Sequence, residues 1–306
     1  MSIQVDLLHT FTGHDGPVYA LEHANDSENF FSGSGDKLVS SWNLDPAIPP
    51  TALINVGAIV YSVCNVPEKN IILIGESNGG LHVVDRVEKK EVRFINHHQG
   101  GIFDIKYSLE NRHVYTGSAD GSFAVWSLDD FSLLKSYKLC KEKIRNIAIN
   151  ADETNVAIAC GDGSIRIFNS VSMTMDQQYS AHALSTNCLR YHPVQNVLVS
   201  GGRDAMLNFW DTTSYKLIKS IPAHNYAVYS IDFSMDAAFI ATASRDKTVK
   251  IWDATNLDFL VRIDRESFSG HAFSVNKVLW LKERNLLLSG GDDKNIKLWS
   301  VSSGMP

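Results

Sequence analysis

A short polar pattern recurs through this chain at a nearly fixed interval, and few architectures can accommodate it. An acid or amide suited to a tight turn stands at Asp36, Asn78, Asp120, Asp162, Asp204, Asp246 and Asp293, spaced by 42 residues five times and by 47 at the last step. Six residues after each lies Trp42, Val84, Trp126, Phe168, Trp210, Trp252 or Trp299, and twenty-two before each lies His14, Val56, His98, Cys140, His182, His224 or His271. A period of this length marks stacked supersecondary units, each too small to bury its own apolar face. Seven units account for almost all of the 306 residues.

The sixth unit shows the internal pattern best. Tyr229–Phe233, Phe239–Ala243, Thr248–Trp252 and Leu257–Ile263 read as four short strands parted by turn signals, with no helical period. Arg245-Asp246-Lys247 reads as a tight hairpin turn, and Asp120-Gly121 and Asp162-Gly163 serve the same purpose. A four-stranded antiparallel sheet cannot bury both faces alone, so seven of them are expected to stack around an axis, which closes the array and leaves only short edges. The last unit stops soon after Trp299 without an outer strand. Gln4–Phe11 precedes the first Gly-His much as Phe259–Phe268 precedes the last, so the N-terminal strand is expected to complete the seventh sheet. The five extra residues of the long interval fall within Asp264–Phe268, expected to cross one face as a loop or flap.

Gly13-His14 through Trp42, Gly270-His271 through Trp299, and the Trp-Asp pairs Trp210-Asp211 and Trp252-Asp253 resemble the WD-repeat family over essentially the whole chain. The resemblance implies an all-β, seven-bladed β-propeller of four-stranded antiparallel blades, closed by the N-terminal strand, as a single domain over residues 1–306. It also implies a hydrogen-bonded tetrad in five blades. The sets are His14, Ser32, Asp36 and Trp42; His98, Thr116, Asp120 and Trp126; His182, Ser200, Asp204 and Trp210; His224, Thr242, Asp246 and Trp252; and His271, Ser289, Asp293 and Trp299. Blades two and four depart from the pattern, with Val56, Ile74, Asn78 and Val84 in one and Cys140, Ile158, Asp162 and Phe168 in the other. Replacing the polar partners together avoids orphaned buried donors. Cys140 then reads as a small buried thiol.

Serine, histidine and aspartate together suggest a hydrolase triad, but an enzyme needs one and this chain has five, without a Gly-x-Ser-x-Gly elbow. No catalysis is expected from these groups. His9, His23, His82, His113 and His192 are scattered singly and read as surface or strand-face residues; His97-His98 is the only adjacent pair. No metal site and no cofactor are expected. The four cysteines, Cys64, Cys140, Cys160 and Cys188, lack CxxC spacing and read as reduced, buried thiols. A formal charge of −6 gives no general grip on nucleic acid or anionic membrane, so neither is an expected partner. The apolar stretch Ala52–Val66 is too short to span a bilayer and reads as two buried strands. The N-terminus shows no basic region or long apolar run, so a cytoplasmic address is expected, with the chain a monomer unless within a larger complex.

Members of the family commonly bind partners at the face around the channel mouth, and the resemblance directs two positions per blade there. Five residues after the histidine slot stand Tyr19, Tyr61, Phe103, Arg145, Asn187, Tyr229 and Asn276; just before the turn acid, Arg203, Arg245 and Asp292 are the charged members. Aromatic anchors beside arginines dominate many interfaces, and guanidinium forks suit carboxylates and phosphates. The expected function is a non-catalytic scaffold binding a protein or peptide partner at this face, through an acidic or phosphorylated residue. The alternative is a propeller enzyme or small-ligand binder using the central channel. That reading needs convergent acids near the axis, and the mouth positions offer only Asp292.

Overall fold

The residue after each turn acid adopts left-handed backbone: Lys37 at φ 74°, Gly121 at 81°, Ala205 at 68° and Lys247 at 73°. The acid holds the turn by accepting the amide two residues on, as Asp36 Oδ1 does from Leu38 at 3.0 Å and Asp246 Oδ1 from Thr248 at 3.1 Å. A three-residue connection ending in a left-handed residue matches the twist of the flanking strands. The second and third strands of every unit consequently pair as direct neighbours.

The computed structural model describes residues 3–281 and 285–303 and forms seven four-stranded antiparallel sheets. Six are built from consecutive strands. In the seventh, Ile3–Phe11 pairs antiparallel with Ile296–Ser303, from Ile3 opposite Ser303 to Phe11 opposite Ile296, so the N-terminal strand closes the ring. The core is divided in the same way. Seven apolar clusters each lie between two neighbouring blades. The repeated tryptophans face the preceding blade: Trp42 packs with Phe11, Leu288 and Leu298 of blade seven, and Trp126 with Leu73 and Val83 of blade two. At two second-strand positions the stacking is close enough to demand glycine, although Ala159 and Ala243 fill the same position in blades four and six. A Cβ at Gly117 would stand 2.6 Å from Ile144 Cγ2, and one at Gly201 2.7 Å from Val228 Cγ1.

The strands of blade six are Val228–Phe233, Phe239–Ser244, Val249–Asp253 and Phe259–Ile263. The fourth begins two residues later than its pattern suggests because Leu257, at φ 61°, closes a turn by donating its amide to the Asp253 carbonyl at 2.9 Å. Ala52–Val66 holds two strands, but only Val60–Val66 is buried; Thr51–Asn55 is an outer strand and largely exposed. The extra residues before blade seven do not form an open flap. They make one helical turn, Arg265–Phe268, capped by Asp264 accepting the Ser267 amide at 2.8 Å, and Phe268 tucks against the cluster between blades six and seven. Among the described residues, no helix is long and apolar enough to cross a membrane.

Candidate functional site

The five polar sets are assembled from the loop before each inner strand, the second strand and the third. In blade five, Trp210 Nε1 donates to Ser200 Oγ at 2.9 Å, His182 Nε2 lies 2.8 Å from Ser200 Oγ, and His182 Nδ1 lies 2.9 Å from Asp204 Oδ1. Indole is a donor only, so the hydroxyl accepts from Trp210 and donates to Nε2, which leaves the proton of a neutral imidazole on Nδ1, facing the carboxylate. Blades one, six and seven repeat these contacts. Blade three differs from expectation. Asp120 is 3.7 Å from His98 Nδ1, and Ser122 Oγ stands between them, 2.8 Å from the imidazole and donating to Asp120 Oδ1 at 2.5 Å. Burial, which opposes protonation more than Asp120 favours it, holds His98 down at about 4. Every linking hydroxyl, Ser32, Thr116, Ser200, Thr242 and Ser289, is fully buried and already engaged, so none is placed to attack a substrate.

The two variant blades solve the vacancy differently. In blade two, Ile74 and Val84 are fully buried among apolar neighbours, while a separate buried histidine, His82, contacts Glu91 through Nδ1 and lies 3.6 Å from Glu76 through Nε2. His82 therefore lies on a buried strand face. In blade four Ile158 and Phe168 are likewise buried, but Cys140 is partly exposed, which corrects its reading as a buried thiol.

All ten residues expected at the channel mouth, Tyr19, Tyr61, Phe103, Arg145, Asn187, Arg203, Tyr229, Arg245, Asn276 and Asp292, line one cavity of about 780 Å³. Seven are brought there by the same backbone device. The ladder between first and second strands skips Tyr19, between Val18 and Ala20, and equally skips Tyr61, Phe103, Arg145, Asn187, Tyr229 and Asn276. A bulge of one unpaired residue turns its side chain away from the sheet, here toward the mouth.

Their neighbours divide them. Tyr19, Tyr61 and Phe103 form a continuous aromatic run, with centroids 5.4 Å and then 5.0 Å apart, and the Arg145 guanidinium lies 5.1 Å from the Phe103 ring. Lys143 approaches the same ring at 5.6 Å, and Arg245 lies 5.9 Å from the Tyr226 ring. Asn187 and Asn276 instead tie blades together, donating to the carbonyls of Val228 at 3.0 Å and Val18 at 3.1 Å. Asp292 accepts from Asn276 at 2.8 Å. Among the described residues, no carboxylate forms an ion pair with Arg145, Arg203 or Arg245, and the buried Nε of Arg145 has no hydrogen-bond partner. Burial lowers the Arg145 pKa and neighbouring Arg203 lowers it further, against the opposing influence of Tyr229. A Tyr19 raised by burial and then by Asp292 stays a neutral donor.

Deeper in the same cavity stand charges that the sequence did not single out: Glu22, Asp104, Lys106, Arg190, Asp232 and Lys277. Glu22, Lys106, Arg190 and Asp232 each follow a mouth residue by three positions, so charge inside an otherwise apolar inner strand was the available signal. Much of this charge is structural. Asp104 Oδ2 accepts the Ile147 amide at 2.8 Å and Asn146 Nδ2 at 2.5 Å, joining blades three and four; Asp232 pairs with Arg190 at 2.7 Å and accepts the Trp280 amide at 2.8 Å, joining blades six and seven. Burial works against protonated Lys106, but Asp104 and Glu22 outweigh it and raise its pKa. Lys277 moves the other way, lowered by burial and then by Lys106.

The architecture and repeat pattern are shared with known proteins. The chain resembles the WD40 beta propeller domain of Doa1 in fold, with a TM-score of 0.85, 20% identity and 97% of each chain covered. It is 22% identical to THO complex subunit 3 of Arabidopsis thaliana over 94% of this chain and 90% of that protein. It is 25% identical to Protein tipD of Dictyostelium discoideum over 94% of this chain, spanning 48% of that protein. Nuclear distribution protein nudF 1 of Talaromyces marneffei is 32% identical over 40% of this chain, a match that spans 27% of that relative's length. The family model described as WD domain, G-beta repeat matches residues 5–43, 89–127, 131–169, 174–211, 215–253 and 264–300, leaving out the segment that holds the apolar replacements Val56, Ile74 and Val84. With matches over most of its length and seven closed blades, the chain belongs to the WD-repeat family of β-propellers.

Proposed function

We propose that this chain is a non-catalytic interaction scaffold, residues 1–306 acting as one domain, that captures a protein or peptide partner at the channel mouth by an acidic or phosphorylated residue. One observation carries this reading. Arg145, Arg203 and Arg245 share a cavity with a single mouth acid, Asp292, whose carboxylate is engaged by Asn276 and not by any of them. An incoming carboxylate or phosphate relieves the mutual repulsion of these cations and meets bidentate donors. The run Tyr19, Tyr61 and Phe103 supplies the apolar surface beside them. The non-catalytic part rests on the burial of all five tetrad hydroxyls and on the use of Asp104 and Asp232 as inter-blade acceptors. One near-full-length relative is named as a subunit of a complex, in keeping with a role among partners.

The test is an array of degenerate peptides in neutral, acidic and phosphorylated versions, probed with the wild type and with the double variant Arg203→Glu/Arg245→Glu. Wild type retains acidic or phosphorylated members over neutral ones. The double variant loses them at least about tenfold, since each lost charge-assisted contact is worth roughly 1.5–3 kcal/mol, while its Tm stays within about 2 °C because both residues are exposed. Equal binding by both proteins, or no preference for negative peptides, refutes the site.

A further inference from the structure

Blade four has lost the histidine and the hydroxyl of its tetrad, and the same region holds two thiols. Cys140 occupies the histidine slot, and Cys160 ends the second strand, two residues before the turn acid Asp162. Both are free thiols; Cys160 is fully buried and Cys140 partly exposed. The Cys140 thiol donates to the Glu142 carbonyl at 2.9 Å, and the Cys160 thiol lies 3.9 Å from the Ile158 carbonyl.

The repeat provides a ruler for this pair. In blade five the equivalent positions, 42 residues on, are His182 and Gly202. The backbone settings match. Ile144 pairs with Cys160 as Thr186 pairs with Gly202, and the Cys140 amide donates to the Gly121 carbonyl as that of His182 does to Gly163. A Cβ at Gly202 would stand 2.6 Å from His182 Cγ. That Cγ is one carbon–carbon bond, about 1.5 Å, from its own Cβ, so the two Cβ positions lie within about 4 Å, inside the roughly 3.5–4.5 Å that a disulfide spans. Side chains at these two positions face each other at disulfide range.

We infer that Cys140 and Cys160 form a reversible redox site, at which hydrogen peroxide converts the two thiols into a disulfide that braces blade four where five other blades carry the tetrad. Cys140 is the attacking sulfur because it is the accessible one, and neighbouring Cys160 lowers its pKa, with Arg166 adding to the effect against burial and Asp162. Cys64 and Cys188, by contrast, are buried, and burial pushes both thiols up. In the first step the Cys140 thiolate attacks one peroxide oxygen; the O–O bond breaks, the other oxygen leaves as hydroxide and takes the displaced proton as water, and Cys140 becomes a sulfenic acid. Cys160 sulfur then attacks Cys140 sulfur, gives up its proton, and displaces hydroxide as the second water. Two electrons pass from the sulfurs to the peroxide, and a thiol reductant reverses the reaction.

The experiment treats the full chain with hydrogen peroxide, blocks remaining thiols under denaturing conditions and maps peptides by mass spectrometry. Free thiols are expected to fall from four to two, with a Cys140–Cys160 cross-linked peptide that dithiothreitol dissolves and that the variant Cys64→Ser/Cys188→Ser still forms. The cross-link closes a loop of about 20 residues and is expected to raise Tm by roughly 5 °C. Cys140→Ser should leave Cys160 unmodified; if that variant does not fold, the peptide map of the wild type alone decides. Cys140 ending as a sulfinic acid beside a free Cys160, a disulfide to any other cysteine, or no thiol lost would overturn the assignment. An oxidised form that melts no higher would overturn its bracing role.

Discussion

At the level of single residues, blade three offers the sharpest test of how the tetrads work. His98 reaches Asp120 through Ser122, whereas His224 meets Asp246 directly at 2.9 Å with Thr248 alongside. Ser122→Ala should therefore cost about 1–2 kcal/mol in urea unfolding, because it orphans the His98 Nδ1 proton, and Thr248→Ala about half that. Equal losses would show that the relay carries no load. The histidines also set a pH response. Burial lowers the pKa of His98 to about 4 and also depresses His182 and His224, so unfolded chains bind protons that folded chains refuse. Stability thus falls as pH drops from the ordinary histidine value near 6.5 toward 4. The carboxylates Asp36, Asp120 and Asp293 are lowered too, their hydrogen bonds outweighing burial, and their contribution is lost at still lower pH as each is finally protonated. Tm measured from pH 8 to 4 should decline mainly below 6.5, and His98→Gln should flatten part of that decline. An unchanged slope in the variant would assign the response elsewhere.

At the level of elements, the closing strand is the most exposed to challenge. Ile3–Phe11 supplies the outer strand of blade seven and contributes Val5 and Phe11 to two different inter-blade clusters. Removing residues 1–11 opens the ring, strips both clusters and leaves an unpaired edge, so Tm should fall by more than about 10 °C, on the order of several kcal/mol. A melting curve matching the intact chain would mean that the ring holds without it. The strand was legible in the sequence because blade seven lacked an outer strand and the spare segment stood at the other end. The bulges were not. Each is a one-residue skip in the ladder, and nothing in the composition of Val18-Tyr19-Ala20 distinguishes it from regular pairing. That is why the mouth residues were found by their repeat position while Glu22, Lys106, Arg190 and Asp232, brought to the axis by the phase after the bulge, were missed. The helical turn at Arg265–Phe268 was hidden for another reason: four residues are too few to display a period.

At the level of the whole molecule, two sets of charged residues line one cavity. Within it, Arg190 pairs with Asp232 across a blade boundary and Lys106 with Asp104 inside blade three, while the mouth positions hold three arginines to one acid. Partner capture by the proposed face should therefore weaken as NaCl rises from about 0.05 to 0.5 M, over which the screening length shrinks from more than 10 Å to about 4 Å. Tm should change little over the same range. Capture that is indifferent to salt would point to the aromatic run alone as the adhesive surface. The paired ends of the chain have a different consequence. Ile3 and Ser303 are neighbours in one ladder, and the exposed connection through Asp45–Pro50 lies well away from them along the chain. Joining the ends with a short linker and opening the chain at that connection would give a circular permutant whose order of synthesis is new but whose ring of contacts is the same.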